Sequence, residues 1–199
     1  MSIKAVVFDY GGVICFPPSQ ESEAVLERLT GLTPETLWDL HRKFRGEWDR
    51  GVLSGMEYYR NILSGAGVFL DDDSLAKITQ ADLNGWKRIN PDTAQLMVDV
   101  KAAGLKLGIL SNMPNDFYSW AKDHLQVFSE VQIAVISCVH GIIKPEAGIF
   151  KILQEKVDCE YEEIVFFDDA ADNVAAAREL GIKSFIWDGP EAARKIINI

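Results

Sequence analysis

Five short apolar runs constrain this chain more than any other feature: Ile3–Phe8, Lys106–Leu110, Ile133–Ile136, Ile164–Phe167 and Ser184–Trp187. They are mostly continuous rather than alternating, the pattern of strands covered on both faces. Helix signals separate the later runs. Pro91 to Ala103 carries proline in its first turn and Gly104 as a stop, and Pro114 to Phe128 sets Phe117, Trp120, Ala121, His124 and Leu125 at helical spacing. Pro145 to Lys156 and Ala170 to Leu180 follow, the second closed by Gly181. Strand and helix in this rhythm predict an α/β fold: a Rossmann-like parallel sheet sandwiched by helices.

Residues 16–89 break the rhythm. They hold no strand pattern and offer helix starts instead, at Thr33-Pro34, at Ser54 with Glu57 three residues on, and at Asp71–Asp73 before Leu75. Leu37, Leu40, Phe44 and Trp48 fit one helical face, as the core of a small bundle would. The expected organisation is an α/β core of residues 1–15 and 90–199, interrupted after its first strand by a small all-helical domain at 16–89.

Bulk properties narrow the function classes. A net charge of −10 argues against a nucleic-acid surface, which needs clustered Lys and Arg. It does not exclude a phosphorylated substrate, because a metal ion or a lysine can invert the field of one site. No apolar run approaches the roughly 20 residues of a membrane helix. Lys4 and Asp9 interrupt the first run, so it makes a poor signal peptide. Cys15, Cys138 and Cys159 fit no zinc-ligand spacing, and their odd number suits a reduced, cytoplasmic location. Oligomeric state has no readable signature.

In open parallel sheets, ligands bind at the carboxyl ends of the strands. The residues that follow the five runs are Asp9, Ser111, Ser137, Asp168-Asp169 and Asp188. Carboxylates gathered on one sheet edge repel one another unless a cation sits among them, and hard oxygen ligands of this kind suit Mg²⁺. The acidic edge therefore reads as a metal site.

At these residues the chain resembles the haloacid dehalogenase (HAD) superfamily of hydrolases, through four motifs in order along nearly its whole length. "VVFDYGGVI" resembles the first, whose leading aspartate is the nucleophile, here Asp9. "GILSN" resembles the second, which implies that Ser111 and the backbone around Asn112 hold the phosphoryl group. "GIIKPEAGIF" resembles the third, whose lysine, Lys144, is implied to be catalytic and to neutralise the phosphoryl oxygens together with Mg²⁺. "VFFDDAADN" resembles the fourth, which makes Asp169 a metal ligand beside Asp9 and the Gly11 carbonyl, with Asp168 and Asn173 in support. The resemblance implies a helical cap over the core and Mg²⁺-dependent hydrolysis of a small phosphorylated metabolite, such as a sugar phosphate, through an aspartyl phosphate. A lysine followed by proline and a helix start, as in Lys144-Pro145, is expected to leave the backbone in a defined direction.

Gly11 departs from the usual pattern, in which a second aspartate serves as acid and base toward the leaving oxygen. Glycine keeps a carbonyl for the metal but has no acid–base group, a loss of about 10²–10⁴-fold in rate. Tyr10 is a poor substitute, because successive side chains of an extended segment point to opposite sides. A related subgroup with the pattern FDxGGVI or FDxGNVI also has this glycine, and its members act on small sugar phosphates. A leaving group needing little protonation follows: an anomeric sugar, acyl or aryl phosphate. Two other readings stand beside this one. A metal-free 2-haloacid dehalogenase would resemble Asp-x-Tyr-Gly-Thr, but Tyr10 stands one place too early and Asp168-Asp169 form an acid pair. A catalytically weak HAD domain that binds a ligand or a partner protein is supported by Gly11. Arg42, Arg45 and Arg50 are candidates to reach a ligand from the helical segment, although charged residues there are more often solvated.

Overall fold

Uninterrupted apolar strands need cover on both faces, and the computed structural model, which describes residues 2–199, provides it. Strands β1 (Ala5–Phe8), β2 (Lys106–Ser111), β3 (Ile133–Ile136), β4 (Ile164–Asp168) and β5 (Lys183–Ile186) form one sheet in the order β3-β2-β1-β4-β5. Every neighbouring pair is parallel. Central β1 shows the two-sided burial directly. Val6 and Phe8 join an apolar cluster with Leu96, Met97 and Val100 of α5 (Pro91–Ala102), while Ala5 and Val7 join a second with Ile149, Phe150 and Leu153 of α9 (Ala147–Val157). Helix α11 (Pro190–Ile197) packs on the first face and α10 (Ala171–Glu179) on the second.

Between β1 and α5 stand four helices: α1 (Gln20–Thr30), α2 (Pro34–Asp49), α3 (Gly55–Gly65) and α4 (Asp72–Gly85). Their starts follow the sequence signals. Thr33 and Asp71 cap α2 and α4. Ser54 and Glu57 form the reciprocal capping box of α3, in which the Ser54 N–H donates to Glu57 Oε2 at 2.8 Å. The chain leaves and re-enters the sheet layer side by side, since Phe16 N–H donates to the Arg88 carbonyl and Asn90 N–H to the Ile14 carbonyl, both at 2.9 Å. The end of α2 is fastened to the sheet layer by three side chains. Trp48 Nε1 donates to Asp116 at 2.9 Å, Ser137 Oγ donates to the Asp49 carbonyl at 2.5 Å, and Arg50 pairs with Glu146.

Two elements differ from expectation. The helix expected over Pro114–Phe128 is two, α6 (Asn115–His124) and α7 (Gln126–Glu130), broken where Leu125 turns extended. The break allows Leu125, Val127 and Phe128 all to join the apolar cluster. After the one-turn helix α8 (Ser137–His140), helix α9 begins at Ala147, past Pro145, and the Lys144–Pro145 peptide bond is cis. The direction of Lys144 is set elsewhere, by Asn112. That side chain accepts from Lys144 N–H at 2.7 Å and donates to its carbonyl at 3.0 Å, clamping the backbone from both sides.

Candidate active site

The strand order places the carboxyl ends of β1, β2 and β4 together at the middle of the sheet. Carboxylate oxygens of Asp9, Asp168 and Asp169 all lie within 4.8 Å of one another there. Lys144 enters this group from behind. Its Nζ donates to Asp9 Oδ1 at 2.9 Å, to Asp168 Oδ2 at 2.6 Å and to the Leu110 carbonyl at 3.0 Å. An ammonium has three N–H donors, and all three are taken. The structure places Lys144 against the Asp9 carboxylate and behind the cavity lining. Asp168 is fully buried and saturated as well, accepting from Ala170 N–H at 2.8 Å and from Asn173 Nδ2 at 3.0 Å.

Burial is the largest influence on Asp9 and raises its pKa; Lys144 opposes it, Asp168 and Asp169 add to it, and the result is about 7. Asp169 is raised for the same leading reason, with Asp168 adding and Lys144 opposing. Lys144 is pushed above its ordinary value although burial acts to lower it, because Asp9 and Asp168 outweigh burial. Three carboxylates with one ammonium between them are short of positive charge. A divalent cation with a preference for hard oxygen ligands fits that deficit, and Asp9 and Asp169 face the side from which it would enter.

That side is a cavity of about 440 Å³, within the usual range for small-molecule sites. From the strand ends it is lined by Asp9, Gly11, Gly12, Ser111, Asn112 and Asp169. Ser111 is buried at the tip of β2 beside the nucleophile candidate, while the Asn112 side chain is committed to Lys144. Lys144, Asp168 and Asn173 stand behind this lining rather than in it. Gly12, which the motif reading passed over, has φ +72°, and a Cβ there would come within 2.5 Å of Asp169 Oδ2. Only glycine leaves Asp169 its position. Ser137 and Asp188, the other strand-end residues, do not line the cavity. Ser137 instead ties α2 to the loop after β2, donating to the Asp49 carbonyl while accepting from Met113 N–H at 2.9 Å.

The opposite wall comes from the helical segment, of which sequence reasoning had named only Arg42 and Arg45 as candidates to reach a ligand. Trp38, His41, Arg42, Arg45, Trp48 and Asp49 reach it from α2, and Trp86 from the end of α4. Of the three arginine candidates, Arg50 is drawn away to Glu146. The Arg45 guanidinium lies 5.0 Å from the Trp48 ring centre and 6.0 Å from that of Trp86, and its Nε donates to Asp49 at 2.9 Å. Helical spacing could have flagged Arg45, Trp48 and Asp49 as neighbours, but nothing in it shows that they face a cavity.

The chain matches the haloacid dehalogenase-like hydrolase family over residues 3–181 and belongs to it. Across 94% of its length it is 28% identical to Phosphatase MT3486 of Mycobacterium tuberculosis, 88% of which is covered. It is 29% identical to the (S)-2-haloacid dehalogenase of Pseudomonas putida, over 58% of this chain and 50% of that one. Among solved structures, a HAD family enzyme of Bacteroides thetaiotaomicron in complex with magnesium and inorganic phosphate shares the fold, with a TM-score of 0.71 at 21% identity and coverage of 93% of this chain and 94% of that one. Among the described residues no helix is long and apolar enough to cross a membrane.

Proposed function

We propose that this protein is a Mg²⁺-dependent phosphomonoesterase acting on a small phosphorylated metabolite through an aspartyl phosphate on Asp9, with residues 16–89 as a cap that supplies the far wall of the site. The observation that carries the reading is the cluster of Asp9, Asp168 and Asp169 around Lys144 at the floor of one cavity. The phosphatase relative and the magnesium–phosphate complex of the Bacteroides enzyme support it.

Asp9, Asp169 and the Gly11 carbonyl would hold the metal, which when bound neutralises phosphoryl oxygens. Lys144 aims Asp9 and favours its ionised form against burial, and Asn173 fixes Asp168 behind it. Ser111 offers its hydroxyl to a phosphoryl oxygen beside Asp9. A carboxylate oxygen of Asp9 forms a bond to phosphorus while the bond to the ester oxygen breaks and its electron pair leaves with that oxygen. Water then cleaves the acyl phosphate, releasing inorganic phosphate and restoring the carboxylate.

Phosphate release from a panel of phosphate esters, with Mg²⁺ and with EDTA, tests the reading. Metal-dependent release that drops at least about 10³-fold in Asp9→Asn is the expected result. Chloride release from 2-chloropropionate without metal would overturn it in favour of a dehalogenase. Ligand-induced stabilisation with no release of either kind would overturn it in favour of a binding domain.

A further inference from the structure

The strand side of the cavity matches a phosphoryl group; the helical side is built for something else. Trp86 lies over Gly11 so closely that a Cβ built on Gly11 would meet Trp86 Cζ3 at 3.2 Å. The Gly11 backbone does not have a positive φ, so it would accept an ordinary side chain; the indole alone closes the position. The Trp86 ring stands where an acid would have to enter.

The hydrogen-bonding groups along this wall are largely spent on one another. Trp86 Nε1 donates to Asp82 at 3.1 Å, Trp48 Nε1 to Asp116 at 2.9 Å, and the Tyr10 hydroxyl to the Trp86 carbonyl at 2.7 Å. His41 is bonded to the Tyr58 hydroxyl. Arg45 donates to Asp49 through Nε alone, and Asp82 also acts on its charge, so its Nη groups remain open to a ligand. A sugar would bury more hydroxyls here than the few open groups can meet, which costs free energy for each one left unpaired. A flat apolar ring loses nothing by the same burial and gains aromatic contact.

We propose that this cavity selects aryl phosphates, the aromatic leaving group lying against the Trp86 ring that covers Gly11. The inference rests on the phosphomonoesterase reading above and narrows it to one substrate class. It also answers the missing acid. When the bond from phosphorus to the aryl oxygen breaks, the electron pair leaves on a phenoxide, whose conjugate acid has a pKa of about 10, as in tyrosine. Such a group departs as the anion and takes its proton from water afterwards.

Aryl phosphates are intrinsically more reactive than alkyl ones, so a rate preference alone decides nothing, and the test lies in Trp86. KM and kcat are measured with Mg²⁺ for 2-naphthyl phosphate, glucose 1-phosphate and n-butyl phosphate, on the wild type, Trp86→Phe and Trp86→Ala. Trp86→Ala is expected to raise KM for 2-naphthyl phosphate about fivefold to tenfold while leaving the other two nearly unchanged, with Trp86→Phe restoring most of the loss. Equal effects on all three substrates would overturn the proposal, as would kcat/KM for glucose 1-phosphate above that for 2-naphthyl phosphate. Binding of 2-naphthyl phosphate to the Asp9→Asn protein, followed by tryptophan fluorescence, separates the two readings. Binding weakened by Trp86→Ala, without turnover in the wild type, keeps the aromatic subsite and sinks the phosphatase. Turnover of the other esters without naphthyl binding does the reverse.

Discussion

On the strand side of the cavity, Asp9, Asp168 and Asp169 crowd within 4.8 Å around a single buried ammonium, whereas on the helical side Arg45 sits between the rings of Trp48 and Trp86 with its charge met by Asp49. The first wall holds unbalanced charge, and its two cavity-facing carboxyls, Asp9 and Asp169, are pushed upward in pKa by burial. The second has the indole N–H groups of Trp48 and Trp86 and the His41 imidazole paired and offers aromatic rings. Charge shortage is a reason to take up a cation and a phosphoryl group together; satisfied polarity is a reason to take up apolar surface. On the proposed function the two walls would divide the work, one performing the chemistry and the other choosing what the phosphate is attached to. Changes on the strand side should act through charge, and changes on the helical side through shape and selectivity.

The division breaks most visibly at Lys144. Lys144→Met keeps the length of the side chain but leaves Asp9 and Asp168 facing each other without a cation. Losing one partner of a buried ionic group costs about 3–5 kcal/mol. Urea unfolding in EDTA is expected to show that loss, and Mg²⁺ to recover part of it. A loss below about 1 kcal/mol would mean that the carboxylates are not charged against one another in the resting protein.

His41, on the helical wall, tests the same contrast by pH. It is buried, bonded to Tyr58 and near Asp82 and Arg45. Burial is the main cause that lowers its pKa, to about 4; Asp82 opposes the shift, and Arg45 adds to it. The unfolded chain takes up its proton near 6.5, the folded one only near 4, so unfolding binds protons in that window. Stability is then full above pH 6.5 and declines as pH falls toward 4, by up to ~3 kcal/mol from this residue. Unfolding midpoints at pH 7.5, 5.5 and 4.5 should fall less steeply for His41→Gln than for the wild type. Parallel curves would show that the imidazole is not held neutral.

The strand side was largely legible in the sequence because topology alone makes it. Continuous apolar runs ended by Asp9, Ser111 and Asp168-Asp169 must, in a parallel sheet, bring those residues to one edge. The direction of Lys144 was not legible, since its three acceptors come from β2, the end of β1 and β4, and only the folded sheet assembles them. Gly12 looked no different from Gly11 until its positive φ and the closeness of Asp169 Oδ2 separated them. The helical wall was illegible for a more general reason. Trp48 and Trp86 lie on α2 and at the end of α4, and a periodic apolar face records that a residue is buried, not whether it is buried against protein or against a cavity. Arg45 and Arg50, alike in sequence, were parted because Arg45 pairs with Asp49 one turn on in α2, whereas Arg50 is drawn to the distant Glu146.

The two walls meet at Gly11, and exchanging what each contributes there is the sharpest remaining test of their division. Gly11→Asp alone would set its side chain against Trp86, whose Cζ3 a Cβ already meets at 3.2 Å. Overpacking of this kind costs typically about 1–3 kcal/mol, and the carboxyl gains no room to reach a leaving oxygen. Turnover of n-butyl phosphate is therefore expected to stay within about twofold of the wild type, since no general acid is installed. Gly11→Asp with Trp86→Ala removes the ring and opens the position. An acid placed there should raise kcat for n-butyl phosphate by about 10- to 10²-fold, the lower part of the range for general acid catalysis, because the site is not otherwise adapted to it. The same double variant should lose affinity for 2-naphthyl phosphate along with the ring. A gain from Gly11→Asp alone would show that Trp86 yields and that the indole does not stand in for an acid. No gain from the double variant would place the limit on alkyl esters elsewhere than at Gly11, and the division between the walls would then fail at the point where they touch.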